Sequence, residues 1–322
     1  MYYDIFNGDA DGICALHQLR LHTPCEAALI TGVKRDIGLL ARVEAASGDA
    51  LTVLDIALEK NRDSLIRLLK AGATIDYFDH HFSGDIPSSP RLDATIDTDA
   101  NTCTSLLVNR HLHGTQAAWA VVGAFGDNLF AAAGAAAHPL ALSPTQLQKL
   151  AELGTLLNYN AYGITTADLH FDPSDLYRAI APFCDPFAFM REAEAFPILQ
   201  QGFRDDMAQI EAITATFADD HALLLTLPDA PWSRRVSGVY ANKLARQSPD
   251  RAHALVTELP DHHYRISVRA PLNNREGADQ LCMQFPTGGG RKAAAGINAL
   301  PTNDLTAFIV KFRRHWLPTN AG

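Results

Sequence analysis

Asp79-His80-His81 close the apolar, β-rich run Thr74-Ile75-Asp76-Tyr77-Phe78. One carboxylate and two imidazoles cannot continue into an apolar layer without partners. The run therefore reads as a strand ending at the carboxyl edge of a sheet, where α/β proteins place their chemistry. Asp9 and Asp11 follow another strand-like run, in the turn Asn7-Gly8-Asp9-Ala10-Asp11-Gly12, whose glycines allow a tight backbone path. Alone, that turn reads more readily as an Asx-turn capping the next helix. Asp55 ends the run Ala50–Leu54 and Asp127 ends Gly123-Ala124-Phe125-Gly126-Asp127-Asn128; each by itself is an ordinary turn or cap residue. Together these positions supply hard carboxylate oxygens and one or two imidazoles, a donor set suited to Mn2+ or Mg2+ more than to zinc or copper. Two such ions ~3.5–4 Å apart can activate water and clamp a phosphoryl group during in-line displacement.

The elements that must position these groups alternate strand and helix. Tyr2–Phe6, Ala27–Thr31, Ala50–Leu54 and Thr74–Phe78 read as strands. Helices are expected after Gly12, over Ile37–Ala46, and across Leu65–Leu69, the last stopped by Gly72. This alternation signals a parallel sheet covered by helices. A loop rich in Ser, Pro and Gly leads to an edge strand near Leu92–Ile96. Helices then dominate at about Thr102–His113, Ala117–Phe125, Pro144–Leu157 and Ser174–Ala181, with Ala131–Ala137 read as loop or close helix packing. A second strand–helix unit starts at Ala222–Leu227 and continues with a helix near Ser237–Arg246. Strands Ala252–Glu258 and Tyr264–Arg269 follow, then a helix near Ala278–Gln284, a glycine-rich stretch and a last helix over Asp304–His315. The expected division is 1–190 for a catalytic domain, 191–210 for a linker and 211–322 for a smaller α/β domain.

The 322 residues suffice for two domains. No apolar run reaches the ~20 residues that span a bilayer, and the start of the chain lacks the pattern of a secretory signal. Five dispersed cysteines without a C-x-x-C pair point to reduced thiols and a cytoplasmic setting. A net charge of −9 argues against a broad duplex-binding surface, while leaving small anionic substrates open. His253, His262 and His263 match no metal spacing and read as surface or strand-edge residues; Arg234-Arg235 reads as a solvated pair.

On these motifs the chain resembles the DHH phosphoesterases that carry a C-terminal DHHA1 domain. The likeness runs through Asn7–Gly12, Leu54-Asp55, Asp79-His80-His81 and Gly123–Asp127, and through Gly288-Gly289-Gly290-Arg291-Lys292-Ala293-Ala294-Ala295-Gly296 with the strand Tyr264–Arg269. The resemblance implies a dinuclear manganese site, with Mg2+ as the alternative metal. Asp9 and Asp55 would hold one ion, with Asn7 beside them; Asp11, Asp55, His80 and Asp127 would hold the other, Asp55 bridging. Asp79 would orient the cluster and His81 would touch the scissile phosphate or assist the leaving group. Arg269, Arg291 and Lys292, with the backbone of Gly288, Gly289 and Gly290, would hold the rest of the substrate across an interdomain cleft.

Two departures stand out. Asn7 replaces the histidine or aspartate usual in such proteins, which weakens the first metal site. Arg291 replaces a frequent histidine and suits two-pronged recognition of phosphate. The implied activity is hydrolysis of a small phosphorylated nucleotide or short single-stranded oligonucleotide, with no membrane or long-duplex partner and with room for a homodimer. The runner-up is an exopolyphosphatase- or inorganic pyrophosphatase-like phosphoanhydride hydrolase. A non-catalytic nucleotide or metal sensor, with Asn7 marking decay of one site, is the reading from another class.

Overall fold

The computed structural model describes residues 1–317, and the chain falls into two compact units, Met1–Gly202 and Phe203–Gly322. The first unit opens with β1 (Tyr2–Phe6), α1 (Ala10–His22), β2 (Ala28–Ile30), β3 (Ala50–Leu54), α2 (Leu58–Ala71), β4 (Thr74–Asp79) and β5 (Leu92–Ile96). These strands form one sheet in the order β2-β1-β3-β4-β5, every neighbouring pair parallel. Ile5, Val53, Ile75 and Tyr77 from its strands join Leu58, Leu65 and Leu68 of α2 in one core. Gly72 ends α2 in the left-handed conformation at φ +96, where a side chain would be strained.

Register sets up the site. Phe6 pairs with Leu54, and Leu54 with Phe78. Asn7 and Asp55 thus leave two adjacent strands, and Asp79 is the last residue of the third, at one level of the carboxyl edge. The Asn7 amide still reaches the Leu54 carbonyl at 3.2 Å, and the Asp55 amide reaches Phe78 at 3.0 Å.

Helices complete this unit: α3 (Thr104–His111), α4 (Ala117–Gly126), α5 (Phe130–Ala137), α6 (Pro144–Asn160), α7 (Pro173–Ile180), α8 (Pro186–Glu192) and the start of α9 (Ala195–Glu211), which crosses the unit boundary. The small-residue run Ala131–Ala137 is helical, as its alanine content favours. The helix expected over Ile37–Ala46 is reduced to a 3-10 turn at Leu39–Arg42. Side chains take its backbone groups instead: Asn61 accepts from the Leu40 amide and donates to the Ile37 carbonyl, and Arg67 donates to the carbonyls of Leu40 and Val43.

The second unit holds β6 (Phe217–Ala218), β7 (Ala222–Leu227), α10 (Pro231–Gln247), β8 (Ala252–Glu258), β9 (His263–Arg269), α11 (Ala278–Cys282), β10 (Gly288–Arg291), β11 (Ala294–Pro301) and α12 (Leu305–His315). Its mixed sheet runs β10-β11-β9-β8-β7-β6, and the core gathers Val256, Ile266, Val268, Ile297, Phe308 and Phe312. Two sequence expectations are corrected here. His253 is only 1% exposed, inside β8. Arg235 is buried and bound in a two-pronged pair to Asp206, with Nε–Oδ2 2.7 Å and Nη2–Oδ1 3.1 Å, so it is no solvated partner of Arg234.

Candidate metal centre

Asp9 is the N-cap of α1, and its Oδ1 accepts from the amides of Asp11 (3.0 Å) and Gly12 (3.1 Å). The cap uses one oxygen only, and the other, Oδ2, faces the Lys34 ammonium. Gly12 is needed for the turn: a Cβ there would stand 2.2 Å from the Asn7 carbonyl oxygen. Asp11 lies in the first turn of α1 and is fully buried. Its oxygens accept from the amides of Thr104 and Ser105, each at 2.7 Å, the first amides of α3. A helix N-terminus of unpaired amides is a favourable place for a carboxylate, and it fixes Asp11 while leaving lone pairs for a metal.

Asp55 sits at φ +59, a left-handed conformation that aspartate tolerates better than most residues. Thr104 Oγ1 donates to its Oδ1 at 3.2 Å. Burial, then the charges of Asp9, Asp11 and Asp127, push the Asp55 carboxyl well above the usual range. Asp127, the C-terminal cap of α4, is raised by burial and by Asp11 and Asp9, against the pull of Lys34. Crowded carboxylates of this kind are what a bound dication relieves, because its charge reverses the local balance.

The histidines divide their work. His80 Nε2 lies 3.4 Å from Asp55 Oδ1 and 3.6 Å from Asp127 Oδ2. His81 Nδ1 lies 2.7 Å from Asp79 Oδ1. Asp79, 0% exposed, thus orients His81 and not the neighbouring imidazole. Burial lowers the His81 pKa, but the hydrogen bond and charge of Asp79, then Asp127 and Asp11, outweigh it and raise the net value. Two sets offer ligand atoms all within 4.8 Å of one another: Asp11 with His80 and Asp127, and Asp55 with His80 and His81. The donor chemistry fits a hard divalent cation with some imidazole character.

Asp9 belongs to neither set. Its Oδ2 pairs with the ammonium of Lys34, a residue with no role in the sequence reading. Lys34 Nζ also donates to Asp127 Oδ1 and to Asn158 Oδ1, both at 3.1 Å. Burial lowers the Lys34 pKa, while Asp9 and then Asp127 more than compensate and keep the ammonium protonated. Lys34 stands in the loop after β2, so a lysine just beyond a predicted strand end was the only available signal. The amides of Thr104 and Ser105 carried none.

In the second unit, Gly288–Arg291 form the edge strand β10, paired antiparallel with β11. Gly290 has φ +139 and packs against Ala295. Arg291 is exposed, and Lys292 pairs with Glu276 at 3.1 Å. Arg269 donates to Asn242 Oδ1 at 2.7 Å and to the Val268 carbonyl at 3.1 Å.

No family model and no curated protein matches the sequence. Solved structures do share its fold. Exonuclease RecJ bound to manganese aligns at 16% identity and TM-score 0.63, over 97% of this chain and 88% of the other. The pGpG-specific phosphodiesterase PggH from Vibrio cholerae aligns at 14% identity and TM-score 0.57, over 98% of this chain and 100% of the other. RecJ in complex with Mn2+ from Thermus thermophilus gives 15% identity and TM-score 0.57, over 97% of this chain and 51% of that longer one. At these identities the likeness is one of fold, and at that level it bears out the resemblance to the DHH phosphoesterases. Among the described residues, no helix is long and apolar enough to cross a membrane.

Proposed function

We propose that this chain, which has the fold of manganese-bound RecJ and of the pGpG phosphodiesterase, is a metal-dependent phosphoesterase acting on a small phosphorylated nucleotide. The observation that carries the reading is the convergence of Asp11, Asp55, His80 and Asp127, with His81 beside them, at one edge of a parallel sheet. Asp11, His80 and Asp127, with Asp55, would hold a divalent cation, Mn2+ by donor type. When bound, such an ion neutralises phosphate charge and lowers the pKa of a nearby water.

The chain's own residues supply the remaining requirements. The α3 amides hold Asp11 in one orientation. Asp79 accepts the Nδ1 proton of His81, which leaves Nε2 to deliver or take a proton at the leaving oxygen. A raised His81 pKa suits a group that must enter the reaction protonated. We assign Arg291, Lys292, Arg269 and the glycine backbone of Gly288, Gly289 and Gly290 to binding phosphate groups. Exposed Arg291, whose guanidinium matches phosphate geometry, supports that assignment.

The substrate class follows from charge and from the neighbour's named substrate. A chain of net charge −9 is poorly suited to long nucleic acid, and one neighbour of the same fold is named for pGpG, a linear dinucleotide. The test uses metal-stripped protein, with and without Mn2+, on a linear dinucleotide, a nucleoside 3′,5′-bisphosphate, pyrophosphate and tripolyphosphate. Manganese-dependent release of mononucleotide from the dinucleotide is expected. Phosphate from the two phosphoanhydrides alone would move the assignment to a phosphoanhydride hydrolase. Silence on the whole panel would sink the enzymatic reading in favour of a sensor.

A further inference from the structure

The residues that a first metal ion would draw on are already engaged by the protein. Asn7 has one atom suited to ligation, its amide oxygen. That Oδ1 accepts from the Asp9 amide at 3.3 Å, and Nδ2 donates to the Lys34 carbonyl at 3.2 Å. Asp9 commits Oδ1 to the amides of Asp11 and Gly12, and Oδ2 to the Lys34 ammonium. Lys34 in turn directs its three protons to Asp9, Asp127 and Asn158. This set does not fit a divalent cation, because a cation already stands within it.

Lys34 is held there by more than its head group. Its amide donates to the Ala161 carbonyl at 2.9 Å, and its carbonyl is the acceptor for Asn7. The Tyr162 ring lies with its centroid 5.9 Å from Nζ. Asn158 is only 5% exposed and comes from α6, so the third acceptor is fixed by a helix.

We propose that Lys34 replaces the first metal ion, so that the centre holds one divalent cation, on Asp11, His80 and Asp127 with Asp55, beside a resident ammonium. The inference rests on reading this cluster as a phosphoesterase metal centre. Asn7 offers only a neutral amide oxygen, and Lys34 supplies a positive charge that needs no ligand. An ammonium balances carboxylate charge and donates hydrogen bonds, but it offers no coordination position. Lys34 therefore contributes electrostatics to the site and leaves water activation to a single ion.

The deciding measurement is metal content and its magnetic signature. Metal-stripped full-length protein is dialysed against Mn2+, its bound manganese counted by mass spectrometry, and the sample examined by electron paramagnetic resonance. One ion per chain with the signal of isolated Mn2+ is expected. In the double variant Asn7→Asp, Lys34→Met, checked for native circular dichroism, a second ion should bind at least tenfold more tightly than in the wild type and give an exchange-coupled signal. Two coupled ions in the wild type overturn the inference and leave the phosphoesterase reading intact. One isolated ion without hydrolysis of any phosphate ester supports the role of Lys34 while overturning that reading. No bound ion overturns both. The wild-type count decides the matter even where the double variant fails to fold.

Discussion

Asp79 Oδ1 lies 2.7 Å from His81 Nδ1, and in the proposed reaction this pairing makes the second histidine of the motif the proton-transfer group. Asp79→Asn keeps the shape and removes the charge that raises the His81 pKa. Turnover should fall ~10–100-fold, the usual cost of losing an orienting carboxylate. The alkaline limb of the kcat/KM profile should move to lower pH, because His81 would lose its proton sooner. An unmoved limb with weakened manganese binding would place the role of Asp79 on the metal instead.

Asp55 combines a strained backbone with a central position in the cluster. Asparagine tolerates φ +59 almost as well, whereas alanine loses ~1–2 kcal/mol in the left-handed conformation. Both variants should lose turnover by ~100-fold or more. Metal-free Asp55→Asn should melt above the metal-free wild type at pH 7, because the folded-state carboxyl pKa is raised and the charge is unwelcome there. Equal midpoints would show that the crowding of carboxylates costs nothing.

Acid should weaken the first unit through His17. Its ring is 1% exposed, hydrogen-bonded through Nε2 to the Phe183 carbonyl at 2.8 Å and set edge-on to Trp119. Burial lowers its pKa to about 4, against the hydrogen bond to Phe183. The unfolded chain takes up this proton near pH 6.5, the folded chain only near 4. Stability from this group is complete above pH 6.5 and declines as pH falls towards 4, by roughly 3 kcal/mol in all. His17→Gln should flatten the decline of the melting midpoint between pH 7 and 5; an unchanged slope would assign the acid sensitivity elsewhere.

Arg20 binds Asp4 through Nε at 2.9 Å and through Nη2, and Nη2 also reaches Thr52 Oγ1 at 3.0 Å. Asp4 is 1% exposed within β1, so Arg20→Met would leave a carboxylate buried without its cation. Equilibrium denaturation should show a loss of ~3 kcal/mol. In Asp4→Leu, Arg20→Met, both charges leave together and most of that loss should return. A double variant no better than the single would mean that shape, not charge, sets the cost.

The strand ends carrying Asp9, Asp55 and Asp79 were legible because each change from apolar run to ionisable group is local. Burial rules act residue by residue, so Phe78 could continue a strand where Asp79 could only end it. The helix expected over Ile37–Ala46 shows the limit of that logic. Its spacing was helical, but Asn61 and Arg67, distant in sequence, took up the backbone groups that a helix would have paired. Arg235 misled in the same way, since Asp206 on another element offsets the cost of its burial.

By itself the sequence determined which groups stand at the sheet's carboxyl edge, because alternation of strand and helix, the breaks after Phe6 and Leu54, and the strand end at Asp79 follow from local polarity. Only the tertiary structure decided which groups face one another there. Lys34 meets Asp9, Asp127 and Asn158 across separations of 25, 93 and 124 residues. Asp11 finds the α3 amides 93 and 94 residues away. Such partners depend on the parallel placement of β2 beside β1 and on the packing of α3 and α6 around the edge. A charge's neighbours are properties of the packed chain, and no spacing within one segment encodes them.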